Sequence, residues 1–211
     1  MHASVFIATS HLQAHATIAK QGNRPRPITM HGAEAEIYAQ GELAKSLYHI
    51  EFGAVRIYRL LADGRRQVVA FHVAGETFGF EAGNVRSFFA ESIVPTGLTV
   101  VDIGHEGCYS SQLIELALRE MIRAQQHLLV VGRHSALEKV AVFLVDLAER
   151  QGDLDVIDIP MTRTDIGDYL GMTIETVSRS LSKLRDDGIL RLRSSRSIEV
   201  LKPSHLRRLS N

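Results

Sequence analysis

Between Ala35 and Ile103 apolar residues come in short runs, such as Val55-Arg56-Ile57-Tyr58-Arg59-Leu60 and Gln67-Val68-Val69-Ala70-Phe71, cut by Gly41, Gly53, Gly64, Gly75 and Gly97. Turn residues at regular intervals around β-branched and aromatic runs predict an all-β sandwich or barrel. Asp63-Gly64, lying between two such runs, predicts a hairpin. Before this region the chain is His-, Ala- and Pro-bearing without sustained period and ends in Arg24-Pro25-Arg26-Pro27, which reads as a mobile arm.

After Cys108 the period becomes helical. Ile114, Ala117, Met121, Ala124, Leu128 and Val131 follow an alternating three-and-four spacing, with Glu115, Arg119, Glu120, Arg123 and Gln125 off the seam. Such a seam pairs a helix with a copy of itself, or packs it on the β region. Leu113, Leu116 and Leu129 lie off the seam and are expected to cover the β region, leaving the seam for the second copy. Gly132 and Arg133 interrupt the pattern, so Gly132 to His134 is a candidate hinge. Ser135-Ala136-Leu137-Glu138 then opens a new helix through about Arg150, and Leu154, Val156 and Ile159 alternate in a short connector that reaches Pro160.

Thr162-Arg163-Thr164-Asp165 is a second capping-box start, for a helix with Ile166, Gly167 and Leu170 that meets Gly171. Thr173 is the natural N-cap of the next helix, which buries Val177, Leu181 and Leu184 on one face. Two short helices pivoting on a glycine predict a helix-turn-helix. Ser180 is out of place where an apolar residue would fit. The outer face near the start of the second helix presents Glu175, Ser178 and Arg179. Arginine grips guanine O6 and N7 bidentately, a carboxylate accepts from cytosine N4, and serine tolerates either role, so these are the expected base-reading residues. Ile189 to Val200 reads as two short strands around a Ser/Arg turn, a wing that places Arg193 and Arg196 near phosphate, with Arg163, Thr173 and Lys183 as further phosphate contacts.

Composition narrows the classes. Of the 211 residues 45% are hydrophobic and 23% charged, which excludes disordered and collagen-like chains. Net charge is zero, yet from Pro160 to Asn211 there are 10 Lys+Arg against 6 Asp+Glu, and 14 against 18 before it, so the C-terminal part suits an anionic partner. A single cysteine, Cys108, cannot form an internal disulfide or supply a thiolate cluster. The absence of a long apolar stretch predicts no membrane span, and the start of the chain lacks a signal-peptide layout, so a cytoplasmic protein is expected. His11 and His15 sit in the arm, His127 and His134 are seven apart, and none has the partners for a metal site. His49, His72 and His105 are scattered singly, unlike the His-x-His pair of a jelly-roll metal-dependent dioxygenase, so no enzyme and no cofactor is expected.

From about Ala35 onward the chain resembles the Crp/Fnr superfamily of bacterial transcription regulators. The carriers are Gly53-Ala54-Val55-Arg56-Ile57-Tyr58-Arg59, Asp63 to His72, Gly75 to Gly83, the long helix and the helix-turn-helix. Glu175-Thr176-Val177-Ser178-Arg179 matches the Glu-x-x-Ser-Arg recognition helix of the Fnr and FixK branch. The resemblance implies an α+β protein with a cyclic-nucleotide-binding-like β jelly-roll, a dimerisation helix and a winged helix-turn-helix. With the arm, the expected organisation is 1–30, 31–108, 109–134 and 135–211. It implies a homodimer on double-stranded DNA with TTGAT-N4-ATCAA-like palindromes, activation through RNA polymerase, and low-oxygen, nitrogen-fixation or respiratory genes. The lone cysteine departs from cluster-bearing Fnr and favours the FixK type. A cyclic-AMP site in this fold uses Gly-Glu for the ribose and Arg-Ser for the phosphate. Arg86-Ser87 comes too early in the chain, and Phe88 and Phe89 fall at the phosphate position, so apolar filling of the pocket is expected, with a ligand-gated regulator as the alternative.

Overall fold

The computed structural model describes residues 27–101, 111–152 and 155–210. Most of the proline-bearing arm, with His11 and His15, lies outside the described residues, as do His105 and Cys108. The β region contains β1 (Thr29–His31), β2 (Glu36–Tyr38), β3 (Leu47–Phe52), β4 (Ala54–Leu60), β5 (Arg66–Val73), β6 (Thr77–Phe78), β7 (Phe89–Ser92) and β8 (Thr96–Val101). They form two four-stranded sheets, ordered β1-β8-β3-β6 and β2-β7-β4-β5, with all pairings antiparallel. Thr29 and Met30, at the end of the expected arm, are therefore sheet residues.

Alternation along the strands sorts the two faces. Ile50, Val55, Ile57, Phe78, Ala90 and Leu98 meet between the sheets. Tyr58, Val68 and Phe71 belong to a second cluster. At the tip of the β4–β5 hairpin Gly64 takes φ 80°, and Leu61 N–H donates to the Arg65 carbonyl at 2.8 Å.

The helical part holds α1 (Ser111–Val131), α2 (Ala136–Arg150), β9 (Val156–Asp158), α3 (Arg163–Leu170), α4 (Ile174–Asp186), β10 (Leu190–Ser194), β11 (Ser197–Val200) and α5 (Pro203–Ser210). Leu113 and Leu116 of α1 are buried, Leu113 against Leu47 and Val101. Leu129 does not join them. It is 74% exposed and the adjacent Val130 is buried instead, because one residue turns a helix face by about 100°. The wing is a three-stranded sheet ordered β10-β11-β9, with the connector strand β9 pairing to β11.

One apolar cluster runs across both parts. Ala54, Val68, Phe71, Val73 and Ile93 of the β region join Val140, Ala141, Phe143 and Leu144 of α2 and Ile166 and Leu170 of α3. Phe71 meets Tyr169 at a ring separation of 5.0 Å and Phe143 edge-on at 6.3 Å. The outer face of the β4–β5 sheet is thereby covered by the helix-turn-helix part of the same chain.

Candidate nucleic-acid interface

α3 starts on a complete capping box. Thr162 Oγ1 accepts from Asp165 N–H at 3.1 Å, and Asp165 Oδ2 accepts from Thr162 N–H at 3.0 Å. It ends at Gly171 with φ 64°, a left-handed conformation that L side chains adopt only with strain. Gly167 is needed for a different reason: a Cβ there would stand 2.7 Å from the Met172 carbonyl oxygen. The two glycines allow α3 and α4 to cross closely. Val177, Leu181 and Leu184 then seat α4 on the common core. Ser180 fits this buried face because its Oγ donates to the Thr176 carbonyl at 2.9 Å, so no polar atom is left without a partner.

With that face fixed inward, Glu175, Ser178 and Arg179 are exposed together on the first two turns. Thr173 caps the helix, accepting from Thr176 N–H at 3.3 Å, and its hydroxyl lies 3.1 Å from the Thr176 hydroxyl. Arg179 Nη2 reaches Thr176 Oγ1 at 3.4 Å. Thr176, not singled out from the sequence, thus sits between the cap and the arginine. Glu175's own backbone N–H and the Thr173 hydroxyl hold its carboxyl below the usual carboxylate range, so it is an acceptor at neutral pH.

The expected phosphate contacts differ in how committed they already are. Lys183, at the far end of α4, donates to Asp187 Oδ1 at 2.9 Å, and that bond raises its pKa. Arg193 Nε donates to Glu199 Oε2 at 3.2 Å, and Arg191 uses the same carboxylate oxygen. Arg196 at the wing turn is exposed and makes no ion pair among the described residues. Arg163, in the first turn of α3, is half-buried, and burial alone pulls its guanidinium pKa down with no countercharge to oppose it. A half-buried cation in that condition favours the approach of an anion.

On α1 the six expected seam residues Ile114, Ala117, Met121, Ala124, Leu128 and Val131 are exposed, and Leu118, Ile122 and Leu129 widen the apolar face. Their spacing from Ile114 and Met121 was available as a signal for the wider stripe.

In the β region Arg86 is buried with both terminal guanidinium nitrogens bound, while its Nε has no hydrogen-bond partner. Its Nη1 donates to the Gly79 carbonyl and its Nη2 to the Ser46 carbonyl, both at 2.6 Å, and its guanidinium lies 4.1 Å from the centre of the Tyr38 ring. Glu81 accepts from Ser87 N–H at 2.9 Å and from its hydroxyl at 2.7 Å. Phe88 packs on the inter-sheet core, but Phe89 points the other way and stacks on Tyr58 at 5.2 Å. The two phenylalanines therefore do not fill one pocket: Phe88, just before β7, faces the inter-sheet core and Phe89, the first residue of β7, faces Tyr58. Among the described residues no helix is long and apolar enough to cross a membrane, and no cluster of three metal-ligating side chains occurs.

Comparison with known proteins agrees with this arrangement. Residues 138–209 match the Crp-like helix-turn-helix domain and residues 31–101 the cyclic nucleotide-binding domain. The nitrogen fixation regulation protein FixK of Rhizobium meliloti is 54% identical over 187 residues, covering 89% of each chain. The transcriptional activatory protein AadR of Rhodopseudomonas palustris is 38% identical, over 76% of this chain and 72% of its own. The solved structure of FixK2 from Bradyrhizobium japonicum matches with a TM-score of 0.79 and 36% identity, over 89% of this chain and 98% of its own. An exposed Glu-x-x-Ser-Arg face on a helix-turn-helix, carried by a β jelly-roll and a long helix, thus coincides with similarity to known regulators over 89% of the chain: the chain belongs to the Crp/Fnr family as a FixK-like DNA-binding transcription regulator.

Proposed function

We propose that two copies pair through the exposed face of α1 and read a TTGAT-N4-ATCAA-like palindrome, activating low-oxygen, nitrogen-fixation or respiratory genes without a small-molecule ligand. The observation that carries the reading is the joint exposure of Glu175, Ser178 and Arg179 on a helix whose opposite face is buried. Arg179 takes the guanine, with Glu175 and Ser178 at the neighbouring bases. Arg163 and Arg196 bind phosphate directly, the Thr173 end of α4 lies against the backbone, and Lys183 and Arg193 exchange their carboxylate partners for phosphate. Two-fold pairing along α1 sets half-sites about one helical turn apart. The exposed Asp63 and Arg65 at the β4–β5 tip form a contact for RNA polymerase.

Independence from cyclic nucleotide is supported by Arg86, whose guanidinium is already bound to two carbonyls. Activation and the nitrogen-fixation setting are supported by the names of the AadR and FixK relatives. The test is a fluorescence-anisotropy titration on the palindrome and a scrambled duplex at fixed salt, with and without cyclic AMP. Selective binding without the nucleotide is expected. Selectivity that requires cyclic AMP would replace this reading with a ligand-gated one.

A further inference from the structure

The contact between α3 and the β4–β5 hairpin is ionic as well as apolar. Asp165 is fully buried and Arg56 is 4% exposed, and Arg56 Nη1 donates to Asp165 Oδ1 at 3.1 Å. Arg66 Nη2 donates to the same oxygen at 2.6 Å and to Asp168 Oδ2 at 3.0 Å. Gln67 Nε2 donates to the Asp168 carbonyl at 2.7 Å. The same Asp165 carboxylate closes the capping box of α3, so the hairpin grips the residue that starts the helix-turn-helix. One turn along the same face of α3, Tyr169 packs on Phe71 of β5 at 5.0 Å and stacks on His127 of α1 at 3.9 Å. One face of α3 is thus held by the sheet and by α1 together, and the tight Gly167–Gly171 crossing passes that hold to α4.

The covalent link between α1 and α2 is only the short stretch from Gly132 to Ser135, where Gly132 is exposed. A link of that kind leaves rotation open unless packing removes it. We infer that the clamp of Arg56, Arg66 and Gln67 on Asp165 and Asp168 determines the half-site spacing that the dimer accepts. These are positioning residues for the recognition helices. The inference rests on the palindrome reading above. Each added base pair turns the second half-site by about 35° around the duplex, so only a rigid α1-to-α4 angle penalises the wrong spacing. A loosened unit pays an ordering cost on every duplex but follows half-sites to other separations. Because Arg56 and Asp165 are buried, added salt screens the clamp little.

The test uses the full chain with Arg66→Gln and Gln67→Ala together, which leaves the Arg56–Asp165 pair and the capping box in place. Retained circular dichroism and a single thermal transition establish that the variant is folded. Binding is measured on palindromes with the parental spacer and with spacers one base pair shorter and one longer. The parent is expected to lose about tenfold on the altered spacers. The variant is expected to bring that ratio within about threefold while still rejecting scrambled half-sites. A spacing ratio equal to the parent's, at any overall affinity, overturns the inference, because a merely structural contact weakens all duplexes alike. Tighter binding by the variant at the parental spacing also overturns it, since the contact would then be autoinhibitory. A second readout needs no DNA: protease cleavage within Gly132 to Ser135 should be several-fold faster in the variant, and equal rates contradict the clamp. A parent that binds palindrome and scrambled DNA equally sinks the palindrome reading by itself, leaving the cleavage result to decide the clamp.

Discussion

Arg179 and Arg196 are both exposed arginines of the same charge, yet their surroundings predict different losses. Arg179 stands on the framed face of α4 with Thr176 beside it, aimed by the helix, so Arg179→Ala should cost about 1–3 kcal/mol on the palindrome and flatten discrimination at one guanine. Arg196 at the wing turn has no such frame, and Arg196→Ala should weaken palindromic and scrambled duplexes by a similar factor and reduce the salt slope by about 1. Anisotropy against a set of single-base variants, repeated at several salt concentrations, separates the two. If Arg179→Ala kept its preference at every base, α4 would not be the reading helix. Arg163 belongs with Arg196 by this argument, although its half-buried position makes its loss the larger of the two.

Among the elements, α1 has the most to gain from a partner, because Leu128 and Leu129 are more than 70% exposed on a 21-residue helix. Each such side chain gains about 1.5–3 kcal/mol when fully covered. Met121→Asp lies mid-face at 50% exposure, so it should leave the chain folded but convert the proposed dimer to monomer in sedimentation and abolish tight palindrome binding. A variant that stayed dimeric would move the interface elsewhere. The stripe on α1 was legible because helical period is local information, and the same holds for the capping box at Thr162 and the turn at Gly171. Which flank of α1 meets the sheet was less legible. It depends on Leu47 and Val101, which receive Leu113, and the choice of Val130 over Leu129 depends on the cluster that α2 and α3 supply. β9 was read only as an alternating connector and α5 was not read: β9 has 3 residues whose strand character comes from pairing with β11, and α5 is anchored by Leu206 alone among its buried residues. The Arg56–Asp165 contact spans 109 positions and carries no periodicity, so charge placement in the sequence could not announce it.

At the scale of the whole molecule, the joint between sheet, α1 and α2 is tied at Glu76. Its carboxylate accepts from Arg150 at 2.7 Å and 2.8 Å and from Val73 N–H at 3.0 Å and forms an ion pair with Arg123 at 3.1 Å, while Arg150 also donates to the Phe71 carbonyl. Burial works to raise the Glu76 pKa, but the Arg150 charge, with Arg123, outweighs it and holds the carboxyl well below its usual value of 4.5. A carboxylate depressed in the fold contributes stability that is present above about pH 4.5 and is lost as pH falls toward the folded pKa. His127 adds an earlier step. Burial lowers its pKa from 6.5, so the fold favours the neutral ring, and that contribution is complete above pH 6.5 and declines as pH falls below it. Glu76→Gln leaves the largely covered Arg150 and the half-buried Arg123 without their shared carboxylate and should cost about 3 kcal/mol at neutral pH. Thermal unfolding followed from pH 7 downward should show the gap between parent and Glu76→Gln narrowing below about pH 4.5, and the gap to His127→Phe changing as pH falls below 6.5. A parent-to-Gln gap that stayed constant into acid would mean that Glu76 is not ionised in the fold, and the tie among the three elements would then have to be apolar.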